Sequence, residues 1–240
     1  MADFAVPPAD PALAGLSRDA LIGLYWQSHP RFLFFKGVPR GACLLDMGAG
    51  SGGLAFWREY GSPPRKDIRM YAVDLAPGEF FSRYAGSQVA NLDREPLGFE
   101  DGFFDAALAS HVFEHFRDPA GVLAQLRRRM KPGGRAYLEV PSPASRDLPK
   151  RDEFIAHGWP MTISNFFDDA THVETFSPVA LRSMGEAAGF GVVGSGAIES
   201  PYLADTLIRR GIDAKDAELV TYGYWARTRW AHYAIFEATA

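Results

Sequence analysis

The chemistry-bearing residues of this 240-residue chain fall into four short stretches. The first is LLDMGAGSGG, Leu44 to Gly53, where an apolar run ends in Asp46 and glycine then stands at every second position, Gly48, Gly50 and Gly52, with Gly53 extra. A glycine turn between a strand and a helix aims backbone N–H groups at whatever sits above the strand's end. Glycine also removes the side chains that would hold a ligand off that backbone. The acid before the first glycine sets this turn apart from G-x-G-x-x-G, which must hold a pyrophosphate. A carboxylate aimed into the turn would repel that anion and suit a cationic or amino-bearing ligand. The second stretch, IRMYAVD, ends in Asp74, 22 residues after Gly52. An acid at about that distance, at the tip of the next strand, is placed to accept from ribose hydroxyls.

The third stretch is SHVFEH, with Ser110, His111, Glu114 and His115 following the apolar run FDAALAS. The fourth is Asp168-Asp169-x-x-His172, flanked by Phe166, Phe167 and Phe176. There an acid could orient the imidazole and raise its basicity. No established metal-ligand spacing is present, so no metal is expected.

Elements that would position these residues can be read from periodicity and punctuation. Cys43 to Leu45 reads as a buried strand, and Leu54 to Trp57 as the start of a helix ended by Gly61-Ser62-Pro63-Pro64. Pro77 to about Ala85 reads as a shorter helix, and Gln88 to Asn91 as a brief third strand. The fourth strand is FDAALAS, and Asp118 to Met130 is a helix with Val122, Leu123, Leu126 and Met130 at helical spacing. Lys131-Pro132-Gly133-Gly134 stops it before the strand RAYLEV.

Outside this block, residues 1 to about 15 are rich in Pro and Ala and are expected to be loosely held. Ser17 caps a helix to about Gln27, which Pro30 breaks. Arg146 to His157 is charged and reads as a surface helix or loop. Ser177 caps a helix from Pro178 to about Ala188, Val192 to Gly194 forms a strand, and Trp230 to Ala238 is the last strand. Tyr202 to Thr228 is too long for a hairpin loop. Its Leu203, Leu207, Ile208, Leu219, Tyr222 and Trp225 imply one or two inserted helices.

The composition allows a large core, with 47% hydrophobic and 13% aromatic residues. A net charge of −4 argues against a broad nucleic-acid footprint. The basic Arg127-Arg128-Arg129-Lys131 sits where a helix ends and suits its dipole. The single cysteine, Cys43, excludes an internal disulfide and reads as a buried thiol. With no basic, then apolar, opening and no apolar run near 18 residues, the expected location is cytoplasmic, without membrane contact.

LLDMGAGSGG, YAVDLAP, FEDGFFDAALASHVFEHFRDP and LRRRMKPGGRAYLEVPSP, taken in order, resemble the class I S-adenosylmethionine-dependent methyltransferases from about Leu44 to Pro143. The resemblance implies an α/β, Rossmann-like three-layer sandwich. Its seven-stranded, mostly parallel sheet would have an antiparallel last strand, with the helical insert before it. It implies a single domain over 1–240: an N-terminal helical cap at 1–40, a cofactor-binding core at 41–143, and an acceptor region at 144–240 with the insert at about 202–228. S-adenosyl-L-methionine would be the cofactor, held by Asp46, Gly48, Gly50, Gly52, Asp74, Leu75, Asn91, Leu92, Asp93, Ser110 and His111. Either Asn91 or Asp93 would accept from the adenine amino group. The resemblance puts the acceptor site after the fifth strand. The base would be His172, with Asp168 or Asp169 orienting it; His111 and His115 are the next candidates. Two readings stay open: methyl transfer to a small-molecule acceptor, most simply at oxygen, and a cofactor-binding regulatory protein without turnover. A nicotinamide oxidoreductase fits worse, because of Asp46 and the glycine spacing. A homodimer is compatible with the first reading.

Overall fold

The computed structural model describes residues 4–239. Its contacts divide the chain into two compact units. One comprises Phe34–Val140, Pro178–Gly196 and the stretch from Tyr233 onward. The other comprises the chain up to Leu33, Pro141–Ser177 and Ala197–His232.

The first unit is built on a sheet of seven strands: β1 (Cys43–Met47), β2 (Arg69–Asp74), β3 (Gly86–Val89), β4 (Phe104–Ser110), β5 (Met130–Pro141), β6 (Phe190–Ala197) and β7 (Ala231–Ala238). Their order is β3-β2-β1-β4-β5-β7-β6. β1 to β5 run parallel, and the last pair is antiparallel, with helices on both faces. β1 lies between β2 and β4 and every one of its residues is buried, as a central strand of a two-sided parallel sheet must be. The parallel strands therefore present their C-terminal ends, at Met47, Asp74, Val89 and Ser110, to one edge.

Eight α-helices accompany the sheet among the described residues: α1 (Arg18–Ser28), α2 (Pro30–Gly37), α3 (Trp57–Tyr60), α4 (Pro119–Arg129), α5 (Arg151–Ala156), α6 (Pro178–Ala187), α7 (Pro201–Ala214) and α8 (Ala217–Thr228). In the sheet unit, α4 buries Val122, Leu123 and Leu126, and Asp118 caps it by accepting from the Gly121 N–H at 2.9 Å. α6 meets β7 closely, since a Cβ at Gly185 would lie 2.2 Å from the Phe236 ring.

Four local expectations change. The helix after the glycine turn is only a 3₁₀ turn at Gly53–Phe56 followed by the single turn α3. Eight residues separate Gly52 from Gly61, too few for a longer helix before the prolines. The helix expected over Pro77–Ala85 is a 3₁₀ turn at Phe81–Arg83. Its leading segment bends over the glycine turn instead, and the Phe80 N–H is spent on Ser51 O at 2.8 Å. β3 begins two residues earlier than expected, and Asn91 starts a turn in which Arg94 and Glu95 N–H groups bond its carbonyl. Lys131–Gly134 does not separate helix from strand but bulges within β5: Met130 pairs with Phe104 and Arg135 with Ala106.

The second unit is helical. The insert is α7 and α8, packed so tightly that a Cβ at Gly211 would meet Val220 at 2.6 Å, and one at Gly223 would meet Ala204 O at 2.6 Å. Asp216 caps α8 through the Glu218 and Leu219 N–H groups, and it accepts from Arg18 of α1 at 2.6 Å. Pro30 bends the chain and opens α2, where its fixed φ and missing N–H are tolerated. The N-terminal arm, expected to be loosely held, is tied along this unit. Asp10 N–H donates to Thr206 Oγ1 (2.8 Å), Arg209 Nε to Pro7 O (3.1 Å) and Trp159 Nε1 to Phe4 O (3.2 Å). The Phe4 ring stacks on His157 at 4.0 Å. Proline-rich composition hid these anchors, because the partners come from residues 157–210.

Candidate active site

The C-terminal edge of β1, β2 and β4 assembles the first group of expected site residues. Gly48 leaves β1 with φ +73, and its N–H donates to Val73 O at 2.9 Å. A Cβ there would lie 2.6 Å from Val112, so only glycine lets the turn pack against the loop after β4. Asp74 closes the turn from β2. Its Oδ2 accepts from the Gly50 N–H at 2.7 Å and its Oδ1 from the Leu75 N–H at 2.7 Å. A carboxylate offers about four acceptor sites, so those two bonds leave capacity for hydroxyl donors. Leu75, next in the chain, is 70% exposed at the same edge.

Asp46 is buried, and its Oδ2 accepts from the Tyr84 hydroxyl at 2.5 Å. Burial, and then the Asp46 charge, push the Tyr84 hydroxyl far above its ordinary range, so it stays a donor. Asn91 and Asp93 both serve the loop after β3. Asn91 Oδ1 accepts from the Asp93 N–H at 3.1 Å, and Asp93 Oδ1 accepts from the Arg117 and Asp118 N–H groups at 2.9 and 3.3 Å. Leu92 between them is buried. At the end of β4, Ser110 Oγ is buried without a hydrogen-bond partner among the described residues. A buried hydroxyl in that condition needs an explanation, and a bound polar ligand supplies one.

His111 is the most constrained residue of the edge. It holds φ +54, and its N–H donates to Glu139 O at 2.8 Å. Its Nδ1 lies 3.3 Å from Glu114 Oε1 and its Nε2 3.0 Å from Glu139 Oε1. Both carboxylates are fully buried, and Tyr137 donates to the other Glu139 oxygen at 2.6 Å. Burial alone would lower the imidazole, but the bonds to Glu114 and Glu139 outweigh it and raise His111 from 6.5 to about 9. Sequence reasoning named His111 and Glu114 but missed Tyr84, Val112, Tyr137 and Glu139. Glu139 left one signal: an acid inside the otherwise buried run RAYLEV must be paired.

The second group lies in the helical unit, on a 3₁₀ turn at Phe166–Asp168 and the residues after it. Asp168 is a structural cap. It accepts from the N–H groups of Ser164 (2.8 Å), Asn165 (2.9 Å) and Arg151 (3.1 Å). Asp169 Oδ1 accepts from the Thr171 N–H and hydroxyl at 2.8 and 2.6 Å. The His172 ring has its Nδ1 2.6 Å from Phe166 O. A carbonyl thus also orients the imidazole. Both acids also serve the local backbone, as short acids commonly do. The Phe166 ring carries Arg146 at 4.7 Å and the His172 ring at 4.8 Å.

The fold, with an acid-tipped β2 beside a glycine turn after β1, is that of Rossmann-like methyltransferases. A family model described as a methyltransferase domain matches residues 22–194. The chain belongs to this family, the class I S-adenosylmethionine-dependent methyltransferases. Among curated proteins it is 32% identical over 113 residues to a ubiquinone biosynthesis O-methyltransferase of Xanthomonas axonopodis pv. citri, covering 42% of this chain and 44% of that protein. It is 32% identical over 105 residues to a tRNA U34 carboxymethyltransferase of Pseudoalteromonas translucida, covering 42% of this chain and 32% of that one. The match thus spans less than half the length of these relatives. A SAM-dependent methyltransferase from Archaeoglobus fulgidus superposes with a TM-score of 0.55 at 19% identity, covering 92% of this chain and 94% of that one, and shares the fold. The family's cofactor is S-adenosylmethionine. The orphaned Ser110 hydroxyl, the spare acceptor capacity of Asp74 and the side-chain-free turn at Gly48 fit it. Among the described residues, no helix is long and apolar enough to cross a membrane.

Proposed function

We propose that the chain transfers the methyl group of S-adenosylmethionine to an oxygen of a small-molecule acceptor, as a single methyltransferase domain acting in the cytoplasm. The cofactor supplies the electrophilic methyl on its sulfonium. In this reading Asp74 accepts from the ribose hydroxyls, Leu75 and Leu92 flank the adenine, and Asn91 or Asp93 accepts from the adenine amino group. The glycine turn with Asp46, Ser110 and the His111 backbone holds the amino-acid end.

The observation that carries the oxygen assignment is the 2.6 Å contact between His172 Nδ1 and Phe166 O. A carbonyl accepts only, so Nδ1 carries the proton and Nε2 is the basic nitrogen. A hydroxyl nucleophile needs such a base, whereas a neutral amine does not. Phe166, Phe167 and Arg146 supply the flat apolar and cationic surroundings that a small aromatic or anionic acceptor would use. The ubiquinone O-methyltransferase relative is in keeping with this. Net charge −4 speaks against a nucleic-acid acceptor, which the tRNA-modifying relative makes the natural control.

The test is methyl-labelled cofactor offered with phenols, catechols, amines and bulk tRNA. With an accepted phenol at saturating cofactor, His172→Ala should lose roughly 100- to 10,000-fold in kcat and keep its cofactor affinity. Labelling of amines or tRNA only would overturn the oxygen assignment. Cofactor binding with no transfer to any acceptor would favour a regulatory protein.

A further inference from the structure

We propose that Arg146 selects acceptors that carry a carboxylate, and that Glu174 occupies its guanidinium until such an acceptor displaces it. The inference rests on the methyl-transfer reading above and names the chemical class of its acceptor.

The guanidinium is held in place and only half used. Arg146 lies in the 3₁₀ turn Pro143–Asp147, and its carbonyl accepts from Asn165 Nδ2 at 3.1 Å. Its Cζ stands 4.7 Å from the Phe166 ring centre and 5.8 Å from that of Phe167. Aromatic faces hold a planar, weakly hydrated cation well. The edge formed by Nε and Nη2 matches the two oxygens of a carboxylate. Glu174 takes only Nη2, through Oε1 at 2.8 Å, and that same oxygen accepts from the Thr175 N–H at 2.8 Å. Nε is buried and has no hydrogen-bond partner among the described residues. A buried N–H in that condition is costly, and more so on a cation. A carboxylate seated squarely on the edge would satisfy both nitrogens.

The present occupant is easily moved. The Glu174 side chain is 58% exposed and that of Arg146 35%. An ion pair so open to water contributes little, because solvent and salt compete with it. Glu174 can therefore turn into solvent and leave the cation to an incoming anion. An apolar surface for the rest of that molecule is at hand, since Phe167 is more than half exposed. The Phe166 ring also carries the His172 ring at 4.8 Å, so the cation and the imidazole stand within the length of one small molecule. A compact hydroxylated aromatic acid offers its anion and its nucleophile over such a span. A neutral phenol would leave Nε unmet, and a cationic acceptor would be repelled.

The first experiment needs no turnover. Benzoate and its neutral isostere benzamide are titrated, by amide NMR at neutral pH and fixed salt, into the parent, Arg146→Gln and Glu174→Gln. The parent should prefer benzoate, a readout independent of how the variants fold. That preference should fall by roughly tenfold or more in Arg146→Gln, the weight of a charge-assisted hydrogen bond. It should rise in Glu174→Gln, because a neutral amide competes less for the cation. Equal affinities in the parent, or a preference that moves the same way in both variants, would show the pair to be only structural and overturn the inference. The second experiment offers methyl-labelled cofactor with hydroxybenzoates and with their methyl esters. The ratio of kcat/KM for acid over ester should exceed one in the parent and fall in Arg146→Gln by the factor seen with benzoate. A benzoate preference without transfer to any phenol supports the anion site and overturns the methyl-transfer reading. Transfer to phenols without a benzoate preference supports that reading and overturns the role of Arg146.

Discussion

His111→Asn isolates the energetic weight of the imidazolium at the end of β4. Asparagine tolerates the left-handed backbone that His111 adopts, so the substitution removes the charge with little change in backbone strain. The folded-state value of about 9 lies above the ordinary 6.5, so the protonated ring stabilises the fold. For a raised value that contribution is complete below about pH 6.5 and is lost as pH rises through about 9. The difference between the two values corresponds to about 3 kcal/mol at its full extent. Most of that should be present at pH 7. Leaving two buried carboxylates without their cation agrees with it, since breaking a buried ion pair costs about 3–5 kcal/mol. Urea denaturation of parent and variant at pH 7 and pH 9.5 reads the effect directly. The variant should be less stable by roughly 2–3 kcal/mol at pH 7, and the gap should narrow to below about 1 kcal/mol at pH 9.5. A gap that is the same at both pH values, or below about 0.5 kcal/mol at pH 7, would mean that His111 is not a buried cation.

Asp74→Ala removes the acceptor at the tip of β2 and the bond that fixes Gly50 N–H. Cofactor affinity measured by calorimetry should fall at least tenfold, since each charge-assisted hydrogen bond is worth about 1.5–3 kcal/mol, and unchanged affinity would sink the ribose assignment. Tyr84→Phe strips Asp46 of its buried hydroxyl donor. Thermal or urea unfolding should register a loss of about 1–3 kcal/mol, and a variant as stable as the parent would show that solvent replaces the bond.

The parts of this protein that were legible in its sequence are those dictated by local rules. Alternating glycines after an acid, an acid at the end of the next apolar run, and caps at Ser17 and Ser177 each need only their immediate neighbours. They were enough for the chain order of the strands, for the inserted pair α7 and α8, and for the glycine turn and Asp74 coming to one edge. Tertiary structure decided what distant partners control. Phe80 gave its N–H to Ser51 rather than to a helix, and the Pro-rich arm was tied down by Trp159, Thr206 and Arg209. Backbone donors of their own turn bind Asp168 and Asp169, and the Phe166 carbonyl meets the His172 ring. Above all, the charge state of His111 depends on Glu139, 28 residues away and brought alongside only by the pairing of β4 with β5. A pattern of residue types tells which groups are available. The protonation of one buried ring depends on which carboxylates the folded backbone sets at its two nitrogens.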